Sequence, residues 1–184
     1  RLFKRWFPNK STRDQKHYFC NNANCAVRRT LWEEQPYDEE LTGLEDLAWA
    51  KNIQAAGHKL AYQHDASILH IHEETWSQVR NRYRREAFAL QKIDPKHQRR
   101  AFYFLRLGIL NIILDISEAC RQRKINVLAA VVLFRFAQYF GAWLGNIMKN
   151  DIDKQVLETF YYPPQTSNTK GEDDVSNSLK KLTY

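Results

Sequence analysis

A long apolar stretch from Asn126 to Met148 limits the possible folds of this chain more than any other feature. Its length suits a bilayer crossing, which requires roughly 20 apolar residues. However, Arg135 near its centre would be costly in hydrocarbon. A second apolar segment, Phe102 to Cys120, precedes it, and a basic cluster separates the two: Arg121, Arg123 and Lys124. We therefore expect 101–162 to form a helical hairpin associated with an anionic membrane surface. The alternatives are a bilayer crossing by 126–148 and a hairpin packed on the rest of the domain.

The positive charge of the chain is concentrated in one region. The formal net charge is +7, and most of the excess lies between Gln78 and Arg100. Such a region favours an anionic partner, namely a phosphate, a lipid headgroup or nucleic acid. Few aromatic residues are interleaved with the basic ones here, so we do not expect a nucleic-acid site. The remaining alternatives are a phosphate contact and a solvated basic helix face.

The remaining composition is that of an ordinary globular domain. The chain has 184 residues, enough for one domain with a core. Its three cysteines have no metal-ligand spacing and indicate reduced thiols in a cytosolic compartment. We interpret 1–16 as a remnant or linker, and we expect the polar tail 163–184 to be disordered.

A short helix after Thr42 carries the first candidate catalytic group. Thr42 and Glu45 match a capping box, and Gly57 is placed as the glycine that ends a helix. Asp46 shares the apolar, inward stripe of this helix with Trp49. A carboxylate in this position is either stabilised by the helix dipole or serves as a general base.

Two segments outside this helix carry further candidate groups. His70 and His72 lie on one face of a predicted strand, where they could share a metal ion with a third ligand. The alternative is one packed and one exposed histidine. Asn21 and Asn22 follow a strand-like segment, and their amides either terminate it or face a sugar or phosphate.

Read in order, these motifs resemble the C-terminal half of family 2 glycosyltransferases, which act on nucleotide-sugars. The resemblance covers about 18–90 and rests on five motifs: Asn21-Asn22-Ala23-Asn24 with Arg28-Arg29, Tyr37-Asp38-Glu39, Gly43-Leu44-Glu45-Asp46-Leu47, Gly57-His58-Lys59-Leu60, and Asp65-Ala66-Ser67-Ile68-Leu69-His70. It implies an α/β fold in which 17–100 form the acceptor-side half of a GT-A domain, with a few short strands plus helices.

The resemblance also implies roles for individual residues. Asp46, beside Glu45, would be the catalytic base that deprotonates the acceptor hydroxyl, with inversion at the anomeric carbon. His70, with His72 secondary, would hold the Mn²⁺ or Mg²⁺ ion that binds the donor diphosphate. Two larger sets complete the site. The acceptor set is Asn21, Asn22, Tyr37, Gly43 and Leu44, and the donor-phosphate set is Arg80, Arg84 and Arg85.

The sequence departs from the family in one respect. The nucleotide-binding half with its Asp-x-Asp metal motif does not precede the resembling stretch. We therefore expect the chain alone to show little or no turnover. The expected partners are a nucleotide-sugar, a saccharide or glycolipid acceptor and the cytoplasmic face of an inner membrane. The alternative class is a non-catalytic basic module that docks on a membrane surface or another polyanion.

Overall fold

The computed structural model describes residues 7–69, 74–97 and 99–148, and it is helical (61 % helix). Its α-helices within these ranges are α1 (Arg29–Glu34), α2 (Glu45–Ala55), α3 (Trp76–Ile93), α4 (Ala101–Arg121) and α5 (Leu128–Asn146). Short 3₁₀ turns cover Asn22–Asn24, Pro95–His97 and Ile125–Val127.

The predicted α/β, GT-A-like fold is wrong: 7–69, 74–97 and 99–148 contain no strand. Where strands were expected, an isolated antiparallel bridge joins Thr12 to Tyr62, with N–O distances of 2.9 and 2.8 Å. The Gln15 amide continues this contact to the Leu60 carbonyl at 2.7 Å. A strand needs a ladder of backbone partners along its length. Here the contact ends after these few hydrogen bonds.

The start of α2 also differs from the prediction. Thr42 does not cap the helix, because it is fully buried and its hydroxyl donates to the Arg85 carbonyl at 3.1 Å. The N-cap is Leu44 in the left-handed region, at φ 61° and ψ 28°. The predicted capping box with Glu45 is therefore wrong, since a buried contact to α3 engages the Thr42 hydroxyl. The predicted C-terminal glycine is confirmed: Gly57 has φ 89° and follows the last turn.

A capping box does occur at the start of α3. The Thr75 hydroxyl accepts from the Gln78 amide at 3.3 Å, and the Gln78 side chain accepts from the Thr75 amide at 2.7 Å. These bonds satisfy two of the amide groups that the first turn leaves without helical partners.

Replacing Thr75 with alanine should therefore lower the free energy of unfolding by about 1 kcal/mol. Urea denaturation followed by circular dichroism measures this change. The serine variant is the control, because its hydroxyl can accept the same bond. An alanine variant as stable as the parent would show that the capping box contributes nothing.

Helix α3 packs against α5 through small residues on α5. Ala137, Gly141 and Gly145 are buried along one face of this helix. A Cβ atom at Gly141 would lie 2.2 Å from the Arg80 carbonyl oxygen, and one at Gly145 would lie 2.0 Å from that of Arg84. Only glycine permits this approach, because any side chain would overlap the backbone of α3.

Polar residues of the two apolar segments contact one another where α4 packs against α5. Arg135 Nε lies 2.6 Å from Asp115 Oδ2. The Asn111 side chain donates to the Tyr139 hydroxyl at 2.8 Å. The arginine in the apolar stretch is thus matched by a carboxylate on the neighbouring helix. By length and composition alone, one helical stretch of the described chain, Ile125–Asn146, would suffice to cross a membrane.

Candidate functional site

Asp46 is held at the start of α2 by two backbone amides. Its Oδ2 accepts from the Asn22 amide at 2.7 Å, and its Oδ1 accepts from the Leu47 amide at 2.7 Å. Asn21 shapes the turn that presents Asn22, because its side chain accepts from the Ala23 amide at 3.0 Å. The structure therefore brings together Asp46 and the Asn21-Asn22 segment, which are far apart in the sequence.

Tyr37 joins the same cluster. Its hydroxyl donates to the Asn22 side-chain oxygen at 3.0 Å. Its ring packs edge-on against Trp49 of α2, with the ring centroids 5.9 Å apart. Trp49 in turn donates through its indole N–H to the Gln35 carbonyl at 2.6 Å. The loop before α2 is thereby fixed on the helix that carries Asp46, and three predicted site residues (Asn22, Tyr37 and Asp46) form one connected group.

Two cysteines that sequence reasoning assigned no role line this group. Cys25 Sγ lies 3.5 Å from the Asn22 side-chain oxygen. Burial, followed by the proximity of Cys25 and Asp46, raises the pKa of Cys20 to about 12. Burial and the same neighbours also raise the pKa of Tyr37 to about 12. Both groups therefore stay neutral at physiological pH.

This shift predicts slow alkylation of Cys20. The thiolate is the reactive form, and with a pKa of about 12 it makes up about one part in ten thousand at pH 8. We expect iodoacetamide to label the exposed Cys120 at least about tenfold faster than Cys20. Labelling of Cys20 should continue to rise up to pH 11, because the thiolate fraction increases until the pH reaches the pKa. Mass spectrometry of the peptides follows both sites, and rapid labelling of Cys20 at pH 8 would contradict the assignment.

The Asn turn also contacts the segment that leads to the predicted histidine ligands. The Asn24 side chain donates to the Ala66 carbonyl at 2.6 Å. His70 and His72 themselves lie outside the described residues. Within 7–69, 74–97 and 99–148, no group of three His, Cys, Asp or Glu side chains could hold a metal ion. The described residues therefore do not form a site that fits Mn²⁺ or Mg²⁺.

Arg85, one of the predicted donor-phosphate residues, lies beside the predicted acceptor loop. A Cβ atom at Gly43 would be 3.6 Å from Arg85 Nε. The next residue, Leu44, has a positive φ that non-glycine residues rarely adopt, and such backbone conformations concentrate at functional sites. Gly43, Leu44 and Arg85 are thus neighbours immediately before the first turn of α2.

The other two predicted donor-phosphate residues contribute their backbone to helix packing. The carbonyls of Arg80 and Arg84 face the glycines of α5, and Arg84 Nε donates to Met148 Sδ at 3.3 Å. The sequence pattern did not predict the contact of Arg82 on α3 with Glu74. Arg82 makes a two-pronged contact to Glu74, with N–O distances of 2.8 to 3.1 Å. Glu74 lies before the first residue of α3 and is separated from Arg82 by 8 positions. The pattern of helical pairs considers only residues about three or four positions apart.

Comparison of the chain with protein-family models, with curated proteins and with solved structures found no match.

Proposed function

We propose that the chain forms part of an inverting, nucleotide-sugar-dependent glycosyltransferase in which Asp46 deprotonates the acceptor hydroxyl. The observation that supports this most directly is the contact of Asp46 with Asn22, at 2.7 Å, and of Asn22 with Tyr37, at 3.0 Å. Each of these three residues belongs to a different motif of the glycosyltransferase resemblance. Their contact gives the predicted base and the predicted acceptor residues one location.

The surroundings of Asp46 suit a general base. A carboxylate has about four acceptor positions, and the two backbone amides engage two of them. These amides fix the orientation of the carboxylate and leave acceptor capacity for the hydroxyl of a substrate. The side chain is half-buried, so a bound acceptor would displace most of the water around it. Direct proton transfer to Asp46 would then accompany attack on the anomeric carbon.

Polar groups next to Asp46 suit a saccharide acceptor. Asn21 and Asn22 are exposed, and the Tyr37 hydroxyl is neutral because its pKa is raised to about 12. Amide and hydroxyl groups both donate and accept hydrogen bonds, as sugar hydroxyls require. We assign Asn21, Asn22 and Tyr37 to acceptor binding, with the Gly43-Leu44 backbone shaping the site.

Arg85 provides positive charge beside the Gly43-Leu44 segment. Glycosyl transfer releases a nucleotide diphosphate, whose developing charge a guanidinium can stabilise. We assign this role to Arg85, because the Arg84 side chain is directed to Met148. The assignment places the cation beside the loop that leads into α2, the helix that carries Asp46.

A transfer assay tests the proposal. The protein that carries this chain at full length is incubated with a panel of nucleotide-sugars and saccharide or glycolipid acceptors. NMR spectroscopy then determines the anomeric configuration of the product. We expect transfer with inversion, and little or no turnover by residues 1–184 alone. A product with retained configuration, or no transfer with any donor of the panel, would overturn the proposal.

A further inference from the structure

We infer that the outward apolar face of α4 docks on the surface of an anionic lipid bilayer without crossing it. We call this surface the α4 face. It presents four large apolar side chains that are at least half exposed: Phe102, Leu105, Ile109 and Ile113. This inference does not depend on the proposed transferase activity.

The spacing of these four residues makes them a continuous stripe along α4. On α4 they follow positions i, i+3, i+7 and i+11, which is one side of a helix. The opposite side of α4 faces α5, where Asn111 meets Tyr139 and Asp115 meets Arg135. A continuous stripe of large, exposed apolar side chains on a folded domain indicates an interaction surface.

Basic residues at both ends of α4 indicate the kind of partner. Arg121, Arg123 and Lys124 are exposed at the turn that joins α4 to α5. Arg99 and Arg100 are exposed just before α4 begins. An apolar face with cationic ends complements a bilayer whose surface carries anionic headgroups. Arg106, which is exposed near the start of α4, can extend its guanidinium to the headgroups from the same face.

Packing of α5 against α3 argues for docking rather than crossing. The Gly141 and Gly145 positions of α5 lie directly against the backbone of Arg80 and Arg84. A transmembrane α5 would take α3, which also carries Arg82 and Arg85, into the hydrocarbon. Charged groups at that depth cost several kcal/mol each. If the outward face docks on the surface instead, the packed helices α3 and α5 stay on the aqueous side of the bilayer.

Vesicle flotation of the purified full-length chain tests the inference. We expect binding to vesicles of phosphatidylcholine with 30 % phosphatidylglycerol, and at least about tenfold weaker binding to phosphatidylcholine alone. The double variant Ile109→Gln/Ile113→Gln should bind the anionic vesicles at least about tenfold more weakly. The matched control is Val27→Gln/Trp32→Gln, which removes exposed apolar side chains from the region of α1 and should bind like the parent.

A second pair of variants tests the contribution of charge. Arg123→Asn/Lys124→Gln should weaken binding to anionic vesicles at least about threefold, since each basic residue near the surface adds attraction. Asparagine is chosen because Arg123 has a φ of 56°, which asparagine tolerates. The control Arg13→Gln/Arg28→Gln removes the same charge elsewhere. Circular dichroism checks that all variants are folded.

Several outcomes would overturn the inference. They are an absence of binding to anionic vesicles, equal binding to neutral vesicles, and unchanged binding of the Ile109→Gln/Ile113→Gln variant. Sedimentation equilibrium tests the alternative, in which a second copy of the chain binds this surface. A dimer that this variant dissociates, without vesicle binding by the parent, would assign the α4 face to a second copy of the chain.

Discussion

Replacing Gly145 with alanine is expected to lower the free energy of unfolding by about 3 kcal/mol, at the upper end of overpacking effects. The new Cβ atom would lie 2.0 Å from the Arg84 carbonyl oxygen and 3.0 Å from the Ala87 Cβ. Neither neighbour is the end of a flexible side chain, so α5 has to move away from α3. Alanine favours a helix over glycine by about 1 kcal/mol, which offsets only part of this loss. Urea denaturation followed by circular dichroism measures the difference.

Gly108→Ala is the matched control for this prediction. Gly108 is also a buried helical glycine, but its added Cβ would lie 3.4 Å from the Tyr139 side chain, close to ordinary contact. We expect this variant to be as stable as the parent, or more stable by up to about 1 kcal/mol. If Gly145→Ala behaved like Gly108→Ala, the close contact between α3 and α5 would be disproved.

Local sequence patterns predicted individual features of the fold better than they predicted its class. Gly57 ends α2 as expected, because a left-handed residue after a helix is a local requirement. The α/β prediction failed because a strand depends on a partner elsewhere in the chain. At Tyr62 the partner is Thr12, and the pairing ends with the hydrogen bond from Gln15 to Leu60. No pattern within 58–63 contains that information.

The Thr42 prediction failed for a related reason. Its spacing to Glu45 fits a capping box, but the side chain is buried against α3 and donates to the Arg85 carbonyl. A tertiary hydrogen bond in a buried position outweighs an exposed cap, because a buried hydroxyl without a partner is costly. The same contact brings Arg85 close to Gly43, although the two residues are far apart in the sequence.

Sequence reasoning reached the candidate site only in part. It selected Asn22, Tyr37 and Asp46 individually, and the structure connects them by hydrogen bonds. Cys20 and Cys25 were missed, because their spacing fits neither a metal site nor a redox motif. They belong to the site because they lie on either side of the Asn turn, which contacts Asp46. Arginines 80 and 84 were selected for charge, whereas their backbone carbonyls form the contact to α5.

Replacing Asp46 with asparagine is expected to lower kcat for sugar transfer by about 10² to 10⁴-fold, the usual contribution of a general base. The amide cannot accept the acceptor proton, while its size and its position at the start of α2 are unchanged. The acceptor KM should change little, because Asn22 and Tyr37 remain to bind the saccharide. Steady-state kinetics of the full-length protein with its best donor and acceptor separate the two constants.

Asparagine also has a structural consequence, which needs its own measurement. Its oxygen can accept from the Asn22 or the Leu47 amide, but not from both as Asp46 does with its two oxygens. We expect a stability loss of about 1 to 3 kcal/mol, determined by urea denaturation. Asp14→Asn is the control, because in the part of the chain that the structure describes Asp14 forms exposed pairs with Lys16 and Lys59, at 3.6 and 3.8 Å. It should keep full activity. A folded Asp46→Asn variant with kcat within about threefold of the parent would rule out Asp46 as the base, since general-base catalysis contributes far more than that.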